Sequence, residues 1–201
     1  MALPRRRLTP EEYFGIDAAS EFKFEYLDGE VYMMAGAKPN HSLIGMNTGA
    51  SLHTQLAARD CQVHGSDLRV SVAHAGLYAY PDLTVVCGQP IYDERGDTLL
   101  NPTLLVEVLS PATEKFDRGE KFRRYQRLES LQEYVLIDQE QAVVEVFTRQ
   151  SEGKWLYVAA VGLNATVALE SVGCTLALAD VYHRVTFEES AGPPDLTTNP
   201  N

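Results

Sequence analysis

The chain has 201 residues, of which 45% are hydrophobic, enough for one domain with a proper core. Its 28 acids against 17 bases give a net charge of -11, which argues against a broad electropositive surface for nucleic acid. No apolar run reaches the roughly 20 residues of a membrane helix, and the N-terminus has charge without an apolar core, so no secretory signal is expected. Cys61, Cys87 and Cys174 are too few and too scattered for a disulfide framework or a metal site, and Cys87 reads as a small core residue. The resulting expectation is a cytoplasmic protein.

In chain order, Thr9, Pro10 and Glu12 form a capping pattern for a short helix ending near Gly15. Residues 21–34 predict a hairpin turning at Asp28-Gly29, with aromatic and charged residues alternating in its first arm. Residues 41–58 suit a helix in which Gly45 and Gly49 imply close packing on a sheet. Residues 61–72 read as a strand, in one piece or in two around Gly65-Ser66-Asp67, and 79–87 as the next. After a polar loop over 88–101 comes a strand over 103–109, stopped by Ser110-Pro111. A basic helix then starts near Asp117 and runs to about Glu129, packing through Phe122, Tyr125 and Leu128. Strands are expected over 133–138, 142–148 and 155–161, followed by less defined elements and a frayed tail from Glu188. With no internal repeat or long linker, residues 1–187 read as a single α/β or α+β domain with helices on the faces of a sheet.

Two residues stand out. Asp82 and Glu107 each interrupt a run of Val and Leu that otherwise reads as a buried strand. A buried carboxylate costs several kcal/mol or more unless a positive charge faces it, so either a divalent metal or a buried Lys or Arg is implied. Two such acids on adjacent strands can share Mg²⁺ or Mn²⁺. Asp117, Lys121 and Tyr125 share a helical stripe that can bring Lys121 toward Glu107, unless Lys121 is a surface residue pairing with Asp117. Six of the 17 bases, Lys115 to Arg127, lie in this segment.

The run Pro81-Asp82, then Glu107 in Leu105-Val106-Glu107-Val108-Leu109-Ser110-Pro111, then Asp117, Lys121 and Tyr125, resembles the Uma-two family of restriction endonucleases in the PD-(D/E)XK nuclease superfamily. Leu27-Asp28-Gly29-Glu30, His41 and Glu133 to Asp138 extend the likeness over about residues 24–147. The resemblance implies a restriction-endonuclease-like core: a mixed β-sheet flanked by helices, here with an N-terminal helix and hairpin and extra C-terminal strands. It implies a Mg²⁺-dependent (or Mn²⁺-dependent) DNA endonuclease with Asp82 and Glu107 as metal ligands. Leu109 stands where the superfamily motif places a lysine. Either Lys121 has taken that role or the site is incomplete.

Glu30 is a candidate third acid or an ordinary hairpin residue. His41 is a phosphate or water contact or part of a helix cap. Arg118 and Arg124 are the candidate phosphate contacts, or parts of a solvated face laced with acids. The implied partner is DNA, with a homodimer as a natural assembly for duplex cleavage. The alternative is a catalytically inactive nuclease-fold module that binds protein or nucleic acid.

Overall fold

The computed structural model describes residues 6–34 and 36–187, so the expected tail lies outside the described residues. Thr9 caps α1 (Pro10–Ala18) through a reciprocal capping box with Glu12, as the sequence predicts, though the helix runs past Gly15. The Asp28-Gly29 turn, with positive φ at both residues, joins β1 (Phe24–Leu27) to β2 (Glu30–Met33). Helix α2 (Pro39–Leu56) follows, then β3 (Cys61–Gly65) and β4 (Arg69–Val72).

The sequence reads residues 79–87 as one strand, but the chain forms two: β5 (Leu77–Ala79) and β6 (Leu83–Cys87). Pro81 lacks the N–H that a continuous ladder needs, and the chain changes sheets at Tyr80-Pro81-Asp82. Strands β7 (Thr98–Leu99) and β8 (Leu104–Leu109) come next. The basic helix spans 114–125 and is α-helical at its ends (Glu114–Phe116 and Phe122–Tyr125), with a π-helical turn over Asp117–Lys121 between them. Beyond it lie β9 (Glu133–Asp138), β10 (Val143–Arg149), β11 (Trp155–Val161), β12 (Thr166–Leu169), β13 (Cys174–Ala177) and a short helix, Leu178–Val181.

A six-stranded sheet has the order β11-β10-β9-β8-β6-β3. It is mixed, because β8 and β9 are parallel and joined by the basic helix as a crossover, while β8 and β6 are antiparallel. A five-stranded sheet has the order β2-β1-β5-β4-β7, and β12 pairs with β13.

Alternation along β8 places the core on both faces. Leu104, Val106 and Val108 pack with Ile44, Leu52 and Leu56 of α2. Leu105 and Leu109 pack with Phe122 and Tyr125 of the crossover helix, with Leu128 just beyond it, and with β4 and β5. Burial of each such side chain contributes about 1.5–3 kcal/mol. Gly49 permits the close approach of α2, since a Cβ there would lie 3.1 Å from Leu83 Cδ2.

The cysteine expectation needs correction. Cys61 and Cys87 are directly opposed in the antiparallel β3–β6 pair and form a disulfide, leaving Cys174 as a buried free thiol. Cross-strand register, which cysteine spacing does not reveal, brings them together. The cytoplasmic expectation therefore loses the support of unpaired cysteines.

Candidate active site

Glu107 sits fourth in β8, on the face that carries Leu105 and Leu109. The sheet alternation that buries those leucines also turns the Glu107 carboxylate inward, under the basic helix. On that helix Asp117, Lys121 and Tyr125 form the expected stripe, and all three are buried. Lys121 Nζ lies 2.9 Å from Glu107 Oε1, 3.0 Å from Glu25 Oε1 and 3.6 Å from Asp117 Oδ1. Tyr125 donates its hydroxyl to Glu107 Oε1 at 3.3 Å, and Tyr134 donates to the Asp117 carbonyl at 3.1 Å. The π-turn over Asp117–Lys121 is a widened stretch of a kind often found at functional positions.

Asp82 stands at the sheet switch, one residue before the Leu83–Val106 pair of the β6–β8 ladder. Its Oδ2 accepts the Val108 N–H at 2.7 Å and faces His41 Nε2 at 3.4 Å. His41 lies in the first turn of α2, so Asp82 connects that helix to the end of β8.

The electrostatics follow from three carboxylates, Glu25, Glu107 and Asp117, set around the Lys121 ammonium, with Asp82 beside Glu107 and Asp117 and facing His41. Burial pushes the Glu107 carboxyl well above its usual range, and Asp117, Asp82 and Glu25 push the same way against Lys121. Burial likewise raises Asp117, opposed by Lys121 and by a hydrogen bond from Thr113. For Lys121, burial favours the neutral amine, but Glu107 and Glu25 outweigh it and hold the ammonium charged well beyond pH 10.5. Burial also pulls down His41, but Asp82, the Val108 backbone and Asp117 leave it raised above 6.5.

An excess of buried carboxylate over ammonium fits a divalent cation by charge, and the donors are hard oxygens. Glu107 Oε1 and Asp82 Oδ2 carry the contacts described, so each carboxylate has its other oxygen outside those bonds. Among the described residues, however, no three His, Cys, Asp or Glu side chains are grouped as a ready metal site.

The remaining candidates separate. Glu30 is exposed on the outer strand of the hairpin, where Tyr32 hydrogen-bonds to it, and it is not one of the acids around Lys121. The hairpin contributes Glu25 instead, which the sequence reading missed. Glu25 also accepts the Tyr80 N–H at 3.2 Å and so ties β1 to the sheet switch. Its signal was present as one acid of the alternating arm, but only the pairing of β1 with β5 turns it toward Lys121.

Arg118 is engaged by Glu114 and Glu145, so it does not present a free guanidinium to phosphate. Arg124 binds Asp28 in the hairpin turn, Glu120 and the Ala75 carbonyl. Both arginines link secondary-structure elements. Of the basic segment, Lys115 and Arg127 are exposed and lie outside any ion pair among the described residues.

Comparison with known proteins gives the family and the fold. A family model described as "Uma2: Putative restriction endonuclease" matches residues 10–179. The chain belongs to the Uma2 family. Two uncharacterized proteins of Synechocystis sp. are similar to this Uma2 chain, each 33% identical. One alignment covers 92% of the chain and 96% of the relative, and the other 80% and 91%. A crystal structure described as a "putative nuclease belonging to DUF820" from Anabaena variabilis superposes with a TM-score of 0.67 at 20% identity. The superposition covers 81% of this chain and 91% of that one, and it establishes the nuclease-type fold expected from the sequence. No helix among the described residues is long and apolar enough to cross a membrane.

Proposed function

We propose that this Uma2 protein is a metal-dependent DNA endonuclease whose centre is Asp82, Glu107 and Lys121. The observation that carries this reading is the 2.9 Å contact between Lys121 Nζ and Glu107 Oε1. It supplies from a helix the ammonium that Leu109 cannot supply from the strand. Asp82 and Glu107 would hold Mg²⁺ or Mn²⁺. Such an ion, when bound, polarises a phosphoryl oxygen and lowers the pKa of a bound water.

The chain's own residues have separate tasks in this reading. Lys121 stays charged in its acid cage and offsets negative charge that grows on the phosphoryl group during attack. Glu25 and Asp117 fix the position of that ammonium. His41 and the Val108 N–H orient the Asp82 carboxylate. Within the basic segment, the exposed Lys115 and Arg127 would meet the phosphate backbone. Two copies would place two such centres on a duplex.

One observation favours the second reading, a nuclease-fold module without catalysis: no group of three metal-binding side chains is assembled among the described residues. Incubation of the wild type and an Asp82→Asn variant with plasmid DNA in Mg²⁺ and in EDTA separates the two. Cleavage by the wild type in Mg²⁺ alone, lost in the variant, supports the enzyme. Cleavage that is equal in both proteins removes Asp82 from the mechanism, and no cleavage by either favours the module.

A further inference from the structure

A groove of about 510 Å³ runs from the Asp82–His41 pair along α2 toward β3. This volume lies within the usual range for a small-molecule site, about 300–1,000 Å³. Gly45 and Gly49 leave its α2 wall low, and His53 and His64 stand farther along it. A Cβ built on Gly45 meets nothing within 4 Å, so that position opens directly into free space. Among the described residues Asp82 is the only carboxylate on the walls and no Lys or Arg lines the groove, Lys23 Nζ being held outside it by the Ser66 carbonyl and by Asp67. Burial pulls the His64 imidazole below its usual range, which favours the neutral ring.

These walls are poorly suited to a phosphate, which needs cations, and well suited to a flat, neutral, hydrogen-bonding ring. Unpaired nucleobases are held in this way, by stacking on aromatic or imidazole faces and by polar groups at their edges. Ser42 supplies such a polar group, and Ser66, whose Oγ accepts from Lys23 Nζ at 3.4 Å, retains its hydroxyl proton as a donor. The groove shares Asp82 and His41 with the carboxylate centre, so a base seated there belongs to a nucleotide next to the phosphate being cleaved.

We propose that the groove between α2 and β3 seats an unpaired nucleobase beside the carboxylate centre, so that the preferred substrate is single-stranded DNA or a strand with a base out of its stack. This inference rests on the nuclease reading for its substrate class, but it is tested by binding and not by cleavage. Gly45→Leu fills the groove, and leucine is a better helix former than glycine, so the variant should fold at least as well as the wild type.

Fluorescence anisotropy in EDTA, with a labelled single-stranded DNA dodecamer and its duplex, provides the test. The wild type should bind the single strand more tightly than the duplex. Gly45→Leu should lose about tenfold in single-strand affinity, in keeping with one lost stacking site, while its Tm is unchanged or higher. The imidazole resonances of His53 and His64 should shift when the single strand is added to the wild type. Equal single-strand binding by wild type and Gly45→Leu, unshifted His53 and His64, or no single-strand binding at all would overturn the groove assignment. Groove-dependent binding without any Mg²⁺-dependent cleavage would instead keep the groove and reject the nuclease reading.

Discussion

Lys121 Nζ and Glu107 Oε1, 2.9 Å apart, join a helix to the strand beneath it through a buried ion pair. A buried pair of this kind is costly to break, because the partner left behind must stay charged out of water or change its protonation state. Lys121→Met should therefore lower the unfolding free energy by about 3–5 kcal/mol in denaturant titrations. Its cleavage rate should fall by roughly 10²–10³-fold, as for the loss of one preorganised electrostatic stabiliser. Adding Glu107→Gln should recover much of the stability and none of the cleavage, giving a large coupling energy in the double-mutant cycle. Additive effects on stability would mean that the two side chains do not act as a pair.

Asp82 has a structural bond as well as its proposed catalytic task. Asp82→Asn keeps an oxygen to accept the Val108 N–H, so folding should be close to wild type while metal-dependent cleavage is lost. Asp82→Ala should lose about 1–3 kcal/mol of stability in addition, the usual cost of a charged acceptor taken from a buried N–H. Equal Tm values for the Asn and Ala variants would show that this hydrogen bond contributes nothing to the fold.

The acid cluster sets the sign of the pH dependence. Glu107, Asp117 and His41 all have folded pKa values above their ordinary ones. A group raised on folding stabilises the fold fully below its unfolded pKa, and that contribution is lost as pH rises through the folded value. The metal-free protein should therefore lose stability as pH rises above the ordinary carboxylate values and on through the raised folded ones, and Glu107→Gln should flatten the slope. Lys121, also raised, contributes throughout this window and is lost only above pH 10.5. The same protons compete with metal, so Mn²⁺ affinity should increase with pH. A metal-free protein that becomes more stable from about pH 5 to about pH 8 would contradict this picture of the cluster.

Arg124 offers a test between a structural role and a phosphate contact. It links the basic helix to the hairpin turn through Asp28, whose carboxyl the Arg124 hydrogen bond holds below its usual range. Arg124→Ala should lower stability by about 1–3 kcal/mol. The slope of log affinity against log salt for DNA should not change, because no phosphate contact is lost. A slope reduced by about one unit would restore Arg124 as a phosphate contact.

Much of the site was legible in the sequence because local rules determine it. The Asp28-Gly29 turn, the acids set in apolar runs, and the i, i+4, i+8 stripe of Asp117, Lys121 and Tyr125 all follow from short-range geometry. What remained hidden depends on long-range pairing. Glu25 and Glu30 look alike in the hairpin, and only the docking of β1 on β5 selects Glu25. Cys61 meets Cys87 through strand register. The break at Tyr80-Pro81-Asp82 carried a local signal in Pro81, but the flanking apolar residues read as one strand. Arg118 and Arg124 looked available because their partners, Glu145 and Asp28, are distant in sequence.

Calorimetric titration of Mn²⁺ into the wild type and Glu107→Gln tests the central claim most directly. The account predicts binding to the wild type that disappears in the variant. Equal binding to both, or none to the wild type, would contradict a metal centre on Asp82 and Glu107.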